Sequence, residues 1–256
     1  MKSFLIGLQF LTRISISKQT VWTEENFGRS VKFFPAVGAV VGIFSALAVG
    51  GFSSLTHGYF PIFTGALAFF LTAILTGGIH FDGLSDTCDG LFSGREKEKI
   101  LEIMKDSRSG SFGVLSLISI SALSIAAIIE LAARSFWLTC AAIYSAPIIG
   151  RLMMVFVIGF FPYARESGTG KAFAKYTTKK TFALAFVETV LLLTPIFFFD
   201  VKAGVFALIS IFPAWIFARH FGKFATKKIG GVTGDIYGAV ELICEMIVLT
   251  TFIFAI

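Results

Sequence analysis

The most informative shortage in this sequence is the shortage of charge. Only 15% of its 256 residues are Asp, Glu, Lys or Arg and 55% are hydrophobic, and the mean hydropathy is +0.83. A soluble domain carries about 25% charged residues, so this composition favours an integral membrane protein over a soluble one. Because open sheet edges are not tolerated in lipid, and the apolar runs are longer than barrel strands need, we expect an all-α, polytopic fold.

Cysteine is scarce as well. Cys88, Cys140 and Cys244 are odd in number, widely spaced and lack a C-x-x-C pair, which argues against a disulfide framework and a cysteine zinc site. Walker A and EF-hand spacings are absent too. The net charge is +6. Because Lys and Arg collect in the cytoplasmic loops of membrane proteins, this charge does not require a nucleic-acid partner.

Long hydrophobic runs predict about seven membrane helices, since about 20 apolar residues cross a bilayer. A shorter helix at the N-terminus has Phe4, Leu5, Leu8 and Leu11 on one face and is expected to lie at the membrane interface. The seven predicted spans are 33–55, 60–78, 112–133, 136–160, 181–199, 203–220 and 236–256, of which 203–220 is expected to break at Pro213.

The distribution of Lys and Arg predicts an orientation. The segments 1–32, 79–111, 161–180 and 219–235 hold 19 of the 22 basic residues, whereas the alternate connections hold almost none. By the positive-inside rule, the N-terminus should be cytoplasmic and the C-terminus outside. We therefore expect one membrane-embedded catalytic domain, 1–256, in the cell (inner) membrane, with cytoplasmic loops at 79–111, 161–180 and 219–235.

The stretch from Gly77 to Gly113 concentrates acidic residues in an otherwise apolar chain. Asp82, Asp86 and Asp89 are spaced by four and three residues, so a helix would place them within a 60° arc. Carboxylates that close repel one another unless a cation lies between them, and Mg²⁺ prefers such oxygen ligands together with water and phosphates. A solvated polar helix face is the alternative, and glycines in the stretch leave open whether the helix is continuous.

The end of the same stretch offers groups that could bind an anion. Asp106, Ser107 and Arg108 supply an acceptor, a hydroxyl and a guanidinium just before the predicted helix at 112–133. Backbone N–H groups at a helix start attract anions. The alternative is an ordinary helix cap formed by Asp106 or Ser109.

Three further charged positions stand out around the later loops. Arg165 could bind phosphate. Arg151 falls inside a predicted span, where a guanidinium needs an acidic partner or ligand unless it reaches the interface. Glu188 is a candidate for that partner.

The segment Gly230–Asp235 and the helix after it carry polar groups at a depth where they are costly. Thr233 and Asp235 fall where a cap or anion-binding turn is expected. Glu241 and Glu245 lie about 9–15 Å beyond Asp235 along the helix, and acids inside a membrane are functional by default. His80 could act as a base, although a lone histidine is more often structural.

Several of these stretches together resemble the cobalamin synthase family, the adenosylcobinamide-GDP ribazoletransferases. The similarity runs in order from about residue 5 to residue 250, with Ser85 and Cys88 where alanine is usual. The segments that carry it are Gln9–Arg13, Phe34-Pro35-x-x-Gly38, GGIHFDGLSDTCDGLF at 77–92, IMKDSRSGSFGV at 103–114, PYARESG at 162–168, and GGVTGD at 230–235 with Glu241 and Glu245.

This resemblance implies a Mg²⁺-dependent phosphotransferase. A ribose hydroxyl of α-ribazole, or of its 5′-phosphate, would attack the phosphorus of adenosylcobinamide-GDP nearer cobinamide, and GMP would leave. The residues expected to carry the reaction are Asp82, Asp106 and Asp235 as catalytic groups, Asp82, Asp86 and Asp89 as metal ligands, and Arg108, Arg151, Arg165, Ser107, Thr233, Glu241 and Glu245 as substrate ligands.

Two other functions fit parts of the pattern. CDP-alcohol phosphotransferases have a similar acid-rich helix, but their longer motif spacing is not met, so the likeness is an analogy. A transporter for an anionic substrate would place its site at the midplane of the membrane, whereas these acids lie chiefly at the predicted cytoplasmic face. The sequence leaves open whether the chain forms a homo-oligomer.

Overall fold

A computed structural model describes residues 2–16 and 23–256, and in these ranges the chain is helical with no strand. The helices are α1 Lys2–Leu11, α2 Glu24–Gly28, α3 Phe34–Leu55, α4 Pro61–Thr76, α5 Ile79–Leu91, α6 Lys97–Ile103, α7 Ser111–Ala132, α8 Phe136–Phe160, α9 Thr169–Tyr176, α10 Lys179–Leu193, α11 Val201–Ile209, α12 Ile211–Ile229 and α13 Gly234–Ile253. Short 3₁₀ turns at Arg29–Phe33 and Thr194–Phe198 follow α2 and α10.

The predicted all-α polytopic membrane fold is confirmed. Six helical stretches in the described residues are long and apolar enough to cross a membrane, and a bent pair of helices makes a seventh if it counts as one span. That pair is α4 and α5. Since α4 has only 16 residues, it is about 24 Å long, short of the roughly 30 Å hydrocarbon layer.

Helix α8 lies at the centre of the molecule. It is apolar on all sides, as expected of a buried helix, and nearly all its residues from Leu138 to Ile158 are buried. Helices α3 and α13 pack on it. Gly38 and Gly42 permit the α3 contact, because a Cβ at either position would collide with backbone atoms of α8.

The acidic stretch turns a corner at its first two glycines. Gly77 and Gly78 have φ values of 65° and 76°, a left-handed conformation that favours glycine. They end α4, and α5 leaves at an angle of 91°. The helix is continuous from Ile79 to Leu91, so the break that the sequence left open falls before the carboxylates and not among them.

The polar connections between the predicted spans are themselves partly helical. The segments 79–111, 161–180 and 219–235 contain α5, α6, α9 and much of α12, and their cytoplasmic position stays a prediction. The predicted span 203–220 is broken, but at Ser210: α11 ends at Ile209, and α12 runs from Ile211 through Pro213 to Ile229. Pro213 lies in the first turn of α12, where its missing N–H has no partner to lose.

The predicted short N-terminal helix is present as α1. Its buried residues are Ile6, Gly7, Leu8 and Leu11, and they pack against the Arg29–Phe33 turn and α3. The face that packs is therefore shifted from the predicted one, because Phe4 and Leu5 are only half-buried. This packing brings the end of α1 beside the corner between α4 and α5.

Candidate active site

Helix α5 carries Asp82, Asp86 and Asp89 along one side, as their spacing predicted. The three side chains do not have equal surroundings. Asp82 is exposed and Asp86 is half-buried, whereas Asp89 is only 9% exposed. The differences come from the helices that pack on α5, chiefly α13 and α7.

Asp89 binds the start of α7. The Gly110 N–H donates to its Oδ2 at 2.7 Å and the Gly113 N–H donates to its Oδ1 at 2.8 Å. The helix start that we expected to attract a substrate anion therefore holds an anion of the protein itself. Each oxygen thus accepts one backbone hydrogen bond and keeps a further lone pair, and the role of Asp89 as a metal ligand stays a prediction.

Asp82 separates two cavities that open beside α5. The larger has a volume of about 580 Å³ and lies between the end of α1, the corner at Gly77 and the start of α7. The smaller, about 210 Å³, lies between α5, α9 and the start of α13, and Asp235 borders it. The two share Phe10, Ile79 and Asp82 in their walls. Asp82 can therefore contact ligands in both cavities.

Asp235 is held in place by Arg165 from another connection and by Thr233 from its own. Arg165 Nη2 lies 2.8 Å from its Oδ2, and the Thr233 hydroxyl donates to the same oxygen at 3.3 Å. Backbone hydrogen bonds join the two segments, from the Ala164 N–H to Val232 O and from the Val232 N–H to Pro162 O, both at 2.8 Å. Arg165 thus orients the Asp235 carboxylate, and the positive charge of Arg165 is already paired in this contact.

The acids on α5 and α13 form one charged group. Gly83 lets the helices approach, because a Cβ there would collide with the backbone of Asp235. Asp82, Asp235 and Asp89 all repel a charge on Asp86, whereas Arg165 attracts it. Within residues 2–16 and 23–256, no three His, Cys, Asp or Glu side chains already converge on one point as metal ligands. The group therefore has excess negative charge without a complete protein-made metal cage.

Asp106, Ser107 and Arg108 lie apart from this group. The Arg108 side chain is 87% exposed and its Nη2 donates to Asp106 Oδ2 at 2.6 Å. These hydrogen bonds lower the pKa of Asp106 to about 2, which makes it a weak base at neutral pH. None of the three borders either cavity, and their catalytic and substrate-binding roles stay predictions.

Arg151, Glu241 and Glu245 form a buried cluster below the cavities. Arg151 is fully buried, and its Nη1 lies 2.6 Å from Glu241 Oε1 and 3.3 Å from Glu245 Oε1. Its Nη2 lies 3.4 Å from Nε2 of His80, which borders the smaller cavity. The predicted acidic partner of Arg151 exists, but it is not Glu188. The three residues bind one another, and their role as substrate ligands stays a prediction.

Sequence reasoning missed two groups in the cavity walls. Arg13 borders the larger cavity, and Tyr237 borders the smaller one. The Tyr237 hydroxyl is buried and has no hydrogen-bond partner among the described residues. Arg13 closes one of the segments that resembled the family, Gln9–Arg13, but no spacing argument marked it as a site residue.

The fold and the cleft define a multi-pass helical membrane protein with an acidic, two-cavity site. The chain belongs to the cobalamin-5-phosphate synthase family, whose model matches residues 3–253. It is 37% identical over 97% of its length to an adenosylcobinamide-GDP ribazoletransferase of Desulfitobacterium hafniense, covering 95% of that protein. Relatives of the same name from Roseiflexus sp. and Clostridium acetobutylicum are 36% and 37% identical over 96% of this chain, which covers 87% and 92% of them. No solved structure matches the chain.

Proposed function

We propose that this protein transfers the adenosylcobinamide-phosphate group of adenosylcobinamide-GDP to α-ribazole or its 5′-phosphate. Such a reaction has to bring a diphosphate ester and a ribose hydroxyl to opposite sides of one reacting phosphorus. The observation that carries the proposal is the position of Asp82 in the shared wall of two cavities. Family membership and the names of the relatives support the same reaction.

The bond changes are those of a single phosphoryl transfer. The ribose hydroxyl oxygen bonds to the phosphorus nearer cobinamide, and the bond from that phosphorus to the bridging oxygen breaks. GMP leaves with the bridging oxygen, and the hydroxyl proton passes to a carboxylate. Positioning and charge neutralisation dominate catalysis of this kind, so the protein has to align two substrates and offset the charge of the diphosphate.

Asp235 is the best-placed group to receive the hydroxyl proton. It borders the smaller cavity, while Arg165 and Thr233 fix its orientation. A base has to lie within hydrogen-bond reach of the proton it accepts. The smaller cavity, lined by Phe10, Phe173 and Tyr237, would receive the aromatic base and ribose of the acceptor.

Asp82 and Asp86 fit a magnesium ion. They lie one helical turn apart, and the neighbouring acids give the group an excess of negative charge. Mg²⁺ is commonly held by one or two carboxylates together with water and substrate phosphates, so a complete protein cage is not required. When bound, the ion would neutralise charge on the diphosphate.

The decisive test is an assay of the purified chain in liposomes. We expect adenosylcobinamide-GDP and α-ribazole 5′-phosphate to yield GMP and cobalamin 5′-phosphate in equal amounts, because one bond is exchanged for another. Chelating divalent cations should stop turnover, and adding Mg²⁺ back should restore it. Product formation would be followed by chromatography of the corrinoids and of GMP.

A matched substrate exchange separates this activity from a lipid phosphotransferase. CDP-diacylglycerol with an alcohol acceptor should give no CMP under the same conditions. Release of CMP without any turnover of the corrinoid substrate would contradict the proposed function. Full activity with chelator present would contradict the magnesium assignment alone.

We also propose that the protein lies in the inner membrane with its N-terminus in the cytoplasm and its C-terminus outside. Support comes from the segregation of Lys and Arg, and from an odd number of crossings if α4 and α5 act as one bent span. A phosphatase reporter fused after Ile256 should be active and a fluorescent cytoplasmic reporter there should be dark. The reverse result would mean an even number of crossings.

A further inference from the structure

The larger cavity has a basic residue in its wall that the sequence pattern did not single out. Arg13 borders this cavity together with Asp82. The backbone N–H of Arg13 donates to Leu75 O at 2.7 Å, which ties the segment after α1 to the end of α4. The side chain is exposed, and no carboxylate pairs with it in the part of the chain that the structure describes.

The corner between α4 and α5 leaves space for this guanidinium. A Cβ at Gly77 would collide with Nε and other side-chain atoms of Arg13. The φ of 65° at Gly77 already disfavours other residues. The side chain of Arg13 therefore lies directly over the turn that sends α5, and Asp82 with it, into the site.

The other arginines that the sequence suggested for phosphate binding are engaged elsewhere. Arg108 pairs with Asp106, Arg151 with Glu241 and Arg165 with Asp235. The wall of the larger cavity instead combines Arg13 with the hydroxyl-bearing residues Thr12, Ser85 and Ser109, of which Thr12 already donates its hydroxyl to Leu8 O. The Ser85 hydroxyl is buried without a hydrogen-bond partner among residues 2–16 and 23–256. A guanidinium that no described carboxylate engages, in the same cavity wall as the Ser85 hydroxyl, is suited to phosphate oxygens.

Building on the proposed function, we propose that Arg13 binds the diphosphate of the donor, adenosylcobinamide-GDP, in the larger cavity. The smaller cavity, bordered by Asp235, then takes the acceptor. This arrangement places the donor phosphates next to Asp82 and the acceptor hydroxyl on its other side. It also assigns each substrate to its own cavity.

The test is a comparison of Michaelis constants in the Arg13→Ala variant. We expect the KM for adenosylcobinamide-GDP to rise about 10- to 100-fold, because charge-assisted hydrogen bonds to phosphate are lost. The KM for α-ribazole and for α-ribazole 5′-phosphate should each stay within about twofold. The inhibition constant of GDP, used alone as a competitive inhibitor, should rise by a factor similar to the rise in the donor KM. The donor KM of Arg13→Lys should lie between those of the wild type and Arg13→Ala, since lysine keeps the charge but lacks the planar fork.

Arg29→Ala is the matched control. Arg29 is an exposed arginine near the N-terminus that pairs with Glu25 at 2.6 Å and borders neither cavity, so all three KM values should be unchanged. If Arg13 instead bound the 5′-phosphate of the acceptor, Arg13→Ala would raise the KM for α-ribazole 5′-phosphate but not for α-ribazole. That result, or an unchanged donor KM, overturns the inference.

The outcome separates this inference from the proposed function. Absence of donor turnover by the wild-type protein would contradict the function itself. Normal wild-type turnover with an unaffected Arg13→Ala variant would contradict only the role of Arg13. If the role of Arg13 were purely structural, Arg13→Ala would lower the thermal unfolding midpoint and change the KM of both substrates together. A rise in the donor KM without a rise in the acceptor KM therefore distinguishes binding from a structural role.

Discussion

Replacing Asp82 by Asn is expected to lower kcat/KM for cobalamin 5′-phosphate formation by about 1,000-fold. The substitution keeps the size of the side chain but removes the negative charge from the shared wall of the two cavities. That charge is the one we assign to holding Mg²⁺ against the donor diphosphate. The measurement is steady-state turnover in liposomes over a range of Mg²⁺ concentrations, together with a thermal unfolding curve.

Asp89→Asn gives the sharpest comparison, because it makes the same chemical change on the same helix. Asp89 accepts hydrogen bonds from the start of α7, so its loss should lower the unfolding midpoint and leave the Mg²⁺ concentration for half-maximal rate unchanged. Asp82→Asn should do the opposite, with little change in unfolding. Near-normal activity of Asp82→Asn would refute its role at the centre of the site.

Replacing Arg151 by Met is expected to cost about 3–5 kcal/mol of stability, as is usual when one member of a buried ion pair is removed. Glu241 and Glu245 would then remain buried beside an uncharged side chain, with 0% and 8% exposure. Because the cluster joins α5, α8 and α13, the loss should affect the whole bundle. Thermal or denaturant unfolding in detergent measures the change.

A double variant tests whether the cost arises from the stranded acid. Arg151→Met combined with Glu241→Gln should lose less stability than the sum of the two single variants, since the pair interacts directly at 2.6 Å. Arg134→Met provides a surface comparison: its ion pair with Glu130 is exposed and should contribute less than about 1 kcal/mol. Equal effects at Arg151 and Arg134 would show that burial of the cluster is not what matters.

The sequence predicted those features of the site that depend on local spacing. The offsets of Asp82, Asp86 and Asp89 placed them on one helix face, and helix α5 confirms that placement. The sequence also indicated that Arg151 needs an acid. It could not identify Glu245, which lies 94 residues away, because that choice depends on how α8 and α13 pack. Nor could it assign Asp89, whose partners at Gly110 and Gly113 follow 21 and 24 residues later.

The sequence by itself determined that this is a helical membrane protein of the cobalamin-5-phosphate synthase family, since composition, hydrophobic run lengths and motif order are properties of the chain alone. Only the tertiary structure decided which charged groups are available to a ligand. Packing sets the exposure of each carboxylate and guanidinium. In this fold, other residues of the protein bind the side chains of Asp89, Arg108, Arg151 and Arg165. The same packing opened the two cavities on either side of Asp82 and placed Arg13 in the wall of the larger one.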